Sequence, residues 1–269
     1  MEQILKIVIF MLLILIAPAN SKAPPPGTGT SDTPANIMIM LDNSGSMAWG
    51  LLEGPADVAV DSSGNIYVIE YAKHSIKQFN SSGTFIKNIG SYGSGCNQFN
   101  LPRQLTIYNN EIYIADTSNY RIVVVDINGN CKRTLSFFDP PTGVAVSSAY
   151  MYVTTSANYI YTTSKTASGS IQGQAVNTQN SGTYLSSVNS IDVNNAGTKL
   201  ITASPYNHQI VVWTLSSGIP TGAVVSVAGT STSSRAAGTF LNAFDAVFDS
   251  SDNIYASDPT QTTIYTNSI

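Results

Sequence analysis

The chain has 269 residues, 43% of them hydrophobic but only 10% charged, with a net charge of −4. Charged residues fall well below the roughly 25% of ordinary globular domains. Ser, Thr, Asn, Gly and Tyr take their place, a mixture that suits short strands and polar turns and disfavours amphipathic helices. Nothing supplies the basic face that a nucleic acid partner needs for counterion release, so that class of function is not expected.

In chain order, residues 1–19, MEQILKIVIFMLLILIAPA, read as a secretory signal peptide. Lys6 is the one positive charge ahead of the apolar run, and that run, residues 7–17, is shorter than the ~20 residues that span a bilayer. Ala17 and Ala19 supply small residues for cleavage before Asn20, after which no membrane contact is expected. The alternative is an uncleaved anchor. Residues 20–35, with PPPGTGTSDTP, form a Pro/Gly-rich linker.

Residues 36–50 pair an apolar strand with a polar loop, and the stretch NIMIMLDNSGSM resembles the metal-ion-dependent adhesion site of von Willebrand factor type A domains. The resemblance implies that Ser44 and Ser46 ligate a hard cation such as Mg²⁺ directly and that Asp42 binds it through water. That family also needs a helix after the motif, then a threonine and a second aspartate from later loops. Here LLEGPADVAV starts a different pattern at residue 51, so those partners are missing. Two readings stand: a weak Mg²⁺ or Mn²⁺ site on Asp42, Ser44 and Ser46, or a loop without metal, either a Ser/Gly turn between repeats or the relic of a domain lost or interrupted.

From residue 51 to 269 the chain repeats itself. GNIYVIEYAKHSIKQFNSSGTFIKNIG recurs as NEIYIADTSNYRIVVVDINGNCKRTLSF, with weaker copies beginning near residues 149, 198 and 252. Tyr67, Tyr113, Tyr152, Ile201 and Tyr255 anchor the second strand of each copy, at spacings of 46, 39, 49 and 54 residues. Each copy offers a first strand (ADVAVD, RQLTIY), a polar turn, a nearly all-apolar second strand, a loop, an alternating third strand and a variable fourth. One such sheet cannot dry its own faces, so the copies are expected to stack radially.

The runs GPADVAVDSSGNIYV, HSIKQF, ADTSNYRIVVVD and GSGCNQFNLP resemble NHL repeats. The resemblance implies an all-β fold, a β-propeller; propellers of that family are usually six-bladed, whereas the copies in this chain supply about five four-stranded blades. The last copy supplies only three strands, near 244–249, 253–257 and 261–266, and the strand at residues 36–41 is available to close the ring. The up-and-down order puts Cys96 and Cys131 at connections on opposite faces of the disc, which favours two separate thiols.

Functional candidates follow from the same register. Glu70, Asp116 and Asp258 end second strands and project toward one face near the central opening. They either converge on Ca²⁺, as in lactonase-like propellers, or cap loop N–H groups. Tyr71, Tyr120, Tyr159 and Tyr206 lie on the adjoining loops, where aromatics with few charges suit protein or glycan recognition, or pack between blades. His74 and His208 occupy equivalent repeat positions, a blade-structural pattern, and two histidines cannot build a three-histidine zinc site. The reading is a secreted or cell-surface, non-catalytic binding or adhesion module for an extracellular protein or glycan. The alternative is a metal-dependent hydrolase or lyase using carboxylates at the central opening.

Overall fold

Each repeat folds as an antiparallel meander because its period-two strands are joined by turns that the local sequence closes by itself. In the first, Asp61 accepts from the N–H groups of Ser63 and Asn65 at 2.9 Å each, and Gly64 takes φ 81°. Asp126 and Asp249 repeat the device with Asn128/Asn130 and Ser251/Asn253. The Asn130 amide and the turn N–H groups hold the Asp126 carboxyl below its ordinary range.

The computed structural model describes residues 52–171, 173–177, 187–229, 239–258 and 265–267. The strand at 36–41 and the loop bearing Asp42, Ser44 and Ser46 lie outside the described residues, as do residues 1–35.

Blade one comprises β1 (Pro55–Val60), β2 (Ile66–Glu70), β3 (Ser75–Phe79) and β4 (Phe85–Ile89). Blade two comprises β5 (Leu105–Tyr108), β6 (Glu111–Asp116), β7 (Arg121–Asp126) and β8 (Cys131–Ser136). Blade three follows with β9 (Pro141–Val146), β10 (Tyr150–Thr155) and β11 (Tyr159–Ser164); the chain then crosses over as β12 (Gly169–Ser170) before its fourth strand, β13 (Gln174–Asn177). Strand β12 pairs in parallel with β8, giving blade two a fifth strand and lacing it to blade three, which four-stranded repeats did not anticipate. Blade four holds β14 (Ser190–Val193), β15 (Lys199–Ser204), β16 (Gln209–Ser216) and β17 (Ile219–Ala228). Blade five shows β18 (Asp245–Phe248), β19 (Ile254–Ser257) and β20 (Tyr265–Asn267) among the described residues.

The register makes the repeats equivalent residue by residue. Tyr67, Tyr113, Tyr152, Ile201 and Tyr255 pair with Ala59, Thr106, Ala145, Asp192 and Val247 of their first strands. The core lies between blades: Ile69 and Ile76 of blade one meet Ile112, Ile114 and Val123 of blade two, all fully buried, and three further clusters fill the next gaps. Each such side chain contributes about 1.5–3 kcal/mol when removed from water. Strands β1, β5, β9, β14 and β18 touch in turn, so first strands are innermost.

The cysteines correct the expectation of separate thiols: Cys96 and Cys131 form a disulfide with a Cα–Cα distance of 5.7 Å. The argument from opposite faces holds for strand ends, but the segment between β4 and β5 is long enough to double back over the outer part of blade two. Arg121 moors it there, donating to the carbonyls of Ser94, Gly95 and Gln98 at 2.7, 2.8 and 2.9 Å.

Candidate functional site

The carboxylates that end the second strands each serve their own blade. Glu70 accepts from the Glu53 N–H at 2.8 Å and pairs with Lys77 at 2.9 Å. Asp116 accepts from the Asn100 N–H at 2.6 Å and pairs with Arg121 at 2.8 Å. Asp258 accepts from Leu241 and Asn242 N–H at 2.7 and 3.0 Å. In every case the donors lie in the connection just ahead of that blade's first strand, so the residue staples the connection to the sheet. The histidines hold the same connections from the neighbouring blade. Leu101 N–H donates to His74 Nδ1 at 3.0 Å, and His208 Nδ1 bonds the Leu241 carbonyl at 2.6 Å. Both histidines adopt φ 56° at the end of the loop after the second strand.

At the axis the structure assembles a network from the first strands. An innermost strand is an edge, and alternate N–H groups point away from its one neighbour. Side chains of the preceding blade cap them: Asp57 accepts from Leu105 N–H at 2.8 Å, Gln104 from Val144 at 2.9 Å, Ser190 from Ala246 at 3.3 Å and Asp192 from Phe248 at 2.8 Å. Gln104 reaches further, donating to the Ile191 carbonyl of blade four at 3.2 Å and accepting from its N–H at 3.4 Å. It passes over Gly143, the residue equivalent to itself in blade three, whose absent side chain leaves the room.

Asp57, Asp192 and Asp245 thus gather near the axis, on blades one, four and five. They keep a little exposed surface yet are enclosed by protein, and burial pushes all three carboxyls up, Asp192 to about 6. For Asp57 the Asp245 carboxylate adds to burial as a second cause. Sequence reasoning passed over these residues because an aspartate inside a strand reads as an outward-facing one. For two of them the available signal was recurrence: Asp57 and Asp245 share one repeat position with Gln104 and Ser190, whereas Asp192 stands two residues further on. No group of three or more His, Cys, Asp or Glu among the described residues is arranged to hold a metal ion. Glu70, Asp116 and Asp258 do not converge in one such group.

The upper face, carrying the loops between second and third strands and the blade-to-blade connections, presents aromatics. Tyr206 is 75% exposed and Tyr120 47%. Tyr71 is half-buried beneath the Arg103 guanidinium, 5.8 Å from its ring centre. Tyr159 opens β11 rather than lying on a loop, and its ring sits 5.9 Å from that of Tyr161. Three aromatics on the connections escaped notice in the sequence: Phe138 at 86%, Tyr92 at 66% and Phe244 at 40% exposure. Phe138 lies next to Tyr120 through the Phe137 N–H bond to the Tyr120 carbonyl.

Comparisons agree with this architecture. The family model DUF5128, described as a 6-bladed beta-propeller, matches residues 51–211. That description gives six blades where about five were expected, and the described residues of this chain form five sheets. Comparison with curated proteins gives no match. Among solved structures, Kuenenia stuttgartiensis hydrazine synthase is similar at TM-score 0.56 and 14% identity over 77% of this chain. Virginiamycin B lyase from Staphylococcus aureus is similar at TM-score 0.54 and 14% identity over 76% of this chain. The chain covers 56% and 63% of those two chains, respectively, and at this identity the likeness speaks to fold alone.

Proposed function

This chain belongs to the DUF5128 family of six-bladed β-propellers, and we propose that it is an NHL-type propeller, secreted or at the cell surface, that binds an extracellular protein or glycan without catalysis through its upper face. The observation that carries the reading is the set of large aromatics left in solvent there, Tyr92, Tyr120, Phe138 and Tyr206. Exposed aromatics on rigid loops give contact area at little entropic cost. The Cys96–Cys131 disulfide supports an oxidising compartment. Engagement of Glu70, Asp116 and Asp258 by loop N–H groups supports a structural use of those carboxylates.

The second reading is a metal-dependent hydrolase or lyase; it would draw on the axial carboxylates of Asp57, Asp192 and Asp245, which as they stand form no group arranged to hold a metal ion. Arrays of glycans and extracellular-matrix proteins, probed with the wild type and with a Tyr120→Ser/Phe138→Ser/Tyr206→Ser variant, test the first. Loss of the wild type's signals at an unchanged melting midpoint supports upper-face binding; retention of every signal refutes it. Metal analysis, with and without EDTA, tests the second. A stoichiometric divalent ion lost in Asp57→Asn or Asp192→Asn would move the assignment to the enzyme, whereas one lost in Ser44→Ala would assign it to the Asp42 loop.

A further inference from the structure

At the top of blade one, the end of β2, strands β3 and β4 and the start of the next connection border an open, shallow cleft of about 330 Å³. That is the lower end of the range for small-ligand sites, about 300–1,000 Å³. Its lining combines three kinds of group. The first is an ion pair, Glu70 with Lys77, whose side chains are 2% and 18% exposed. The second is the Asn88 side chain, directly across from Lys77 in the β3–β4 register. The third is the ring of Tyr92, two-thirds exposed and oriented by an edge contact with His74 at 4.8 Å between ring centres. His74 is itself fixed by the Leu101 N–H.

This chemistry selects a ligand class. Both lysines of the cleft are matched by carboxylates, Lys77 by Glu70 and Lys73 by Glu53 at 2.8 Å, so no unbalanced positive charge remains for a phosphate or sulfate. A purely apolar ligand would strip water from the ion pair and the amide with nothing in return. A pyranose meets both demands: its C–H face stacks on an aromatic ring, and its rim of hydroxyls both donates and accepts.

We infer that this cleft is a subsite for one neutral sugar unit, stacked on Tyr92 with its hydroxyls on the Lys77 ammonium, which Glu70 holds in place, and on the Asn88 amide. The inference rests on the binding reading above and narrows its partner to a glycan at this blade. The test is saturation-transfer NMR on the full chain with the methyl β-glycosides of glucose, galactose and N-acetylglucosamine. At least one glycoside is expected to bind with a Kd on the order of 1 mM. Tyr92→Ala should weaken it about tenfold and Tyr92→Phe, which keeps the ring face, should restore it. Asn88→Ala should weaken the same glycoside.

Absence of transfer to all three at a native melting midpoint overturns the inference, as does equal binding by Tyr92→Ala. Binding confined to a sulfated glycoside added as control overturns the neutral assignment. If the glycosides fail while array signals still depend on Tyr120, Phe138 and Tyr206, the subsite falls and upper-face binding stands. If both fail, both fall.

Discussion

Replacing Gly143 by alanine is the sharpest test of the axial network. The backbone of Gly143 needs no left-handed φ, so alanine is conformationally acceptable and by itself should stabilise slightly, by about 0.4–1 kcal/mol, through the unfolded chain. The new methyl group, however, meets the Gln104 carboxamide oxygen and comes within 2.8 Å of Thr154 Oγ1 and 3.1 Å of Ile191 Cγ2. Moving the carboxamide forfeits its bonds to Val144 N–H, Ile191 N–H and the Ile191 carbonyl. At about 0.5–1.5 kcal/mol net for each bond the loss is about 3 kcal/mol, leaving Gly143→Ala destabilised by about 2 kcal/mol. In a Gln104→Ala background the tightest clash is gone and only the Thr154 hydroxyl and the Ile191 methyl must shift, so the same substitution should cost clearly less, a coupling of about 2 kcal/mol. Urea unfolding followed by the fluorescence of Trp213, a buried indole bonded to Thr202 Oγ1 at 3.0 Å, measures all four corners of the cycle. A neutral Gly143→Ala, or costs that simply add, would refute the account of Gln104 as a cap spanning three blades.

Asp192, with its carboxyl raised to about 6 by burial, sets a pH dependence. Its folded pKa lies above the ordinary ~3.9, so its contribution is fully present below about pH 4 and is lost as pH rises through 6. The loss by pH 8 is on the order of 2–3 kcal/mol, and Asp57 and Asp245 act in the same direction. Asp192→Asn keeps an oxygen for the Phe248 N–H but drops the charge. It should flatten the stability profile between pH 5 and 8 and exceed the wild type at pH 8 by about 2 kcal/mol. A wild type that gains stability from pH 5 to 8 contradicts this. The disulfide closes a separation of 35 residues, so Cys131→Ser should cost about 4 kcal/mol in denaturant unfolding. Alkylation of the unfolded, unreduced chain should add no mass; two added labels would remove the bridge.

Blade register was legible because it is local. An apolar second strand recurs in each copy, a first turn closed by its own side chain recurs in four (Asp61, Ser147, Asn194, Asp249), and Tyr67, Tyr113, Tyr152, Ile201 and Tyr255 do pair at one position. The stapling carboxylates were half legible: the strand-end position of Asp116 was evident, but not that its acceptor would be filled by Asn100 sixteen residues earlier. The exposed connection aromatics Tyr92 and Phe138 lay outside the repeated pattern and carried no periodic signal.

The sequence by itself determined strands, turns and their repetition, since these follow from side-chain alternation and from bonds between residues a few positions apart. Only the tertiary structure decided what Asp57, Gln104, Asp192 and Cys96 do. Their partners, Leu105, Val144, Phe248 and Cys131, lie 48, 40, 56 and 35 residues away and come within reach only when the blades stand side by side. A polar residue in a strand has no preferred partner until a neighbouring edge presents an unpaired N–H, and it is the packing of one blade on the next that creates that edge beside it.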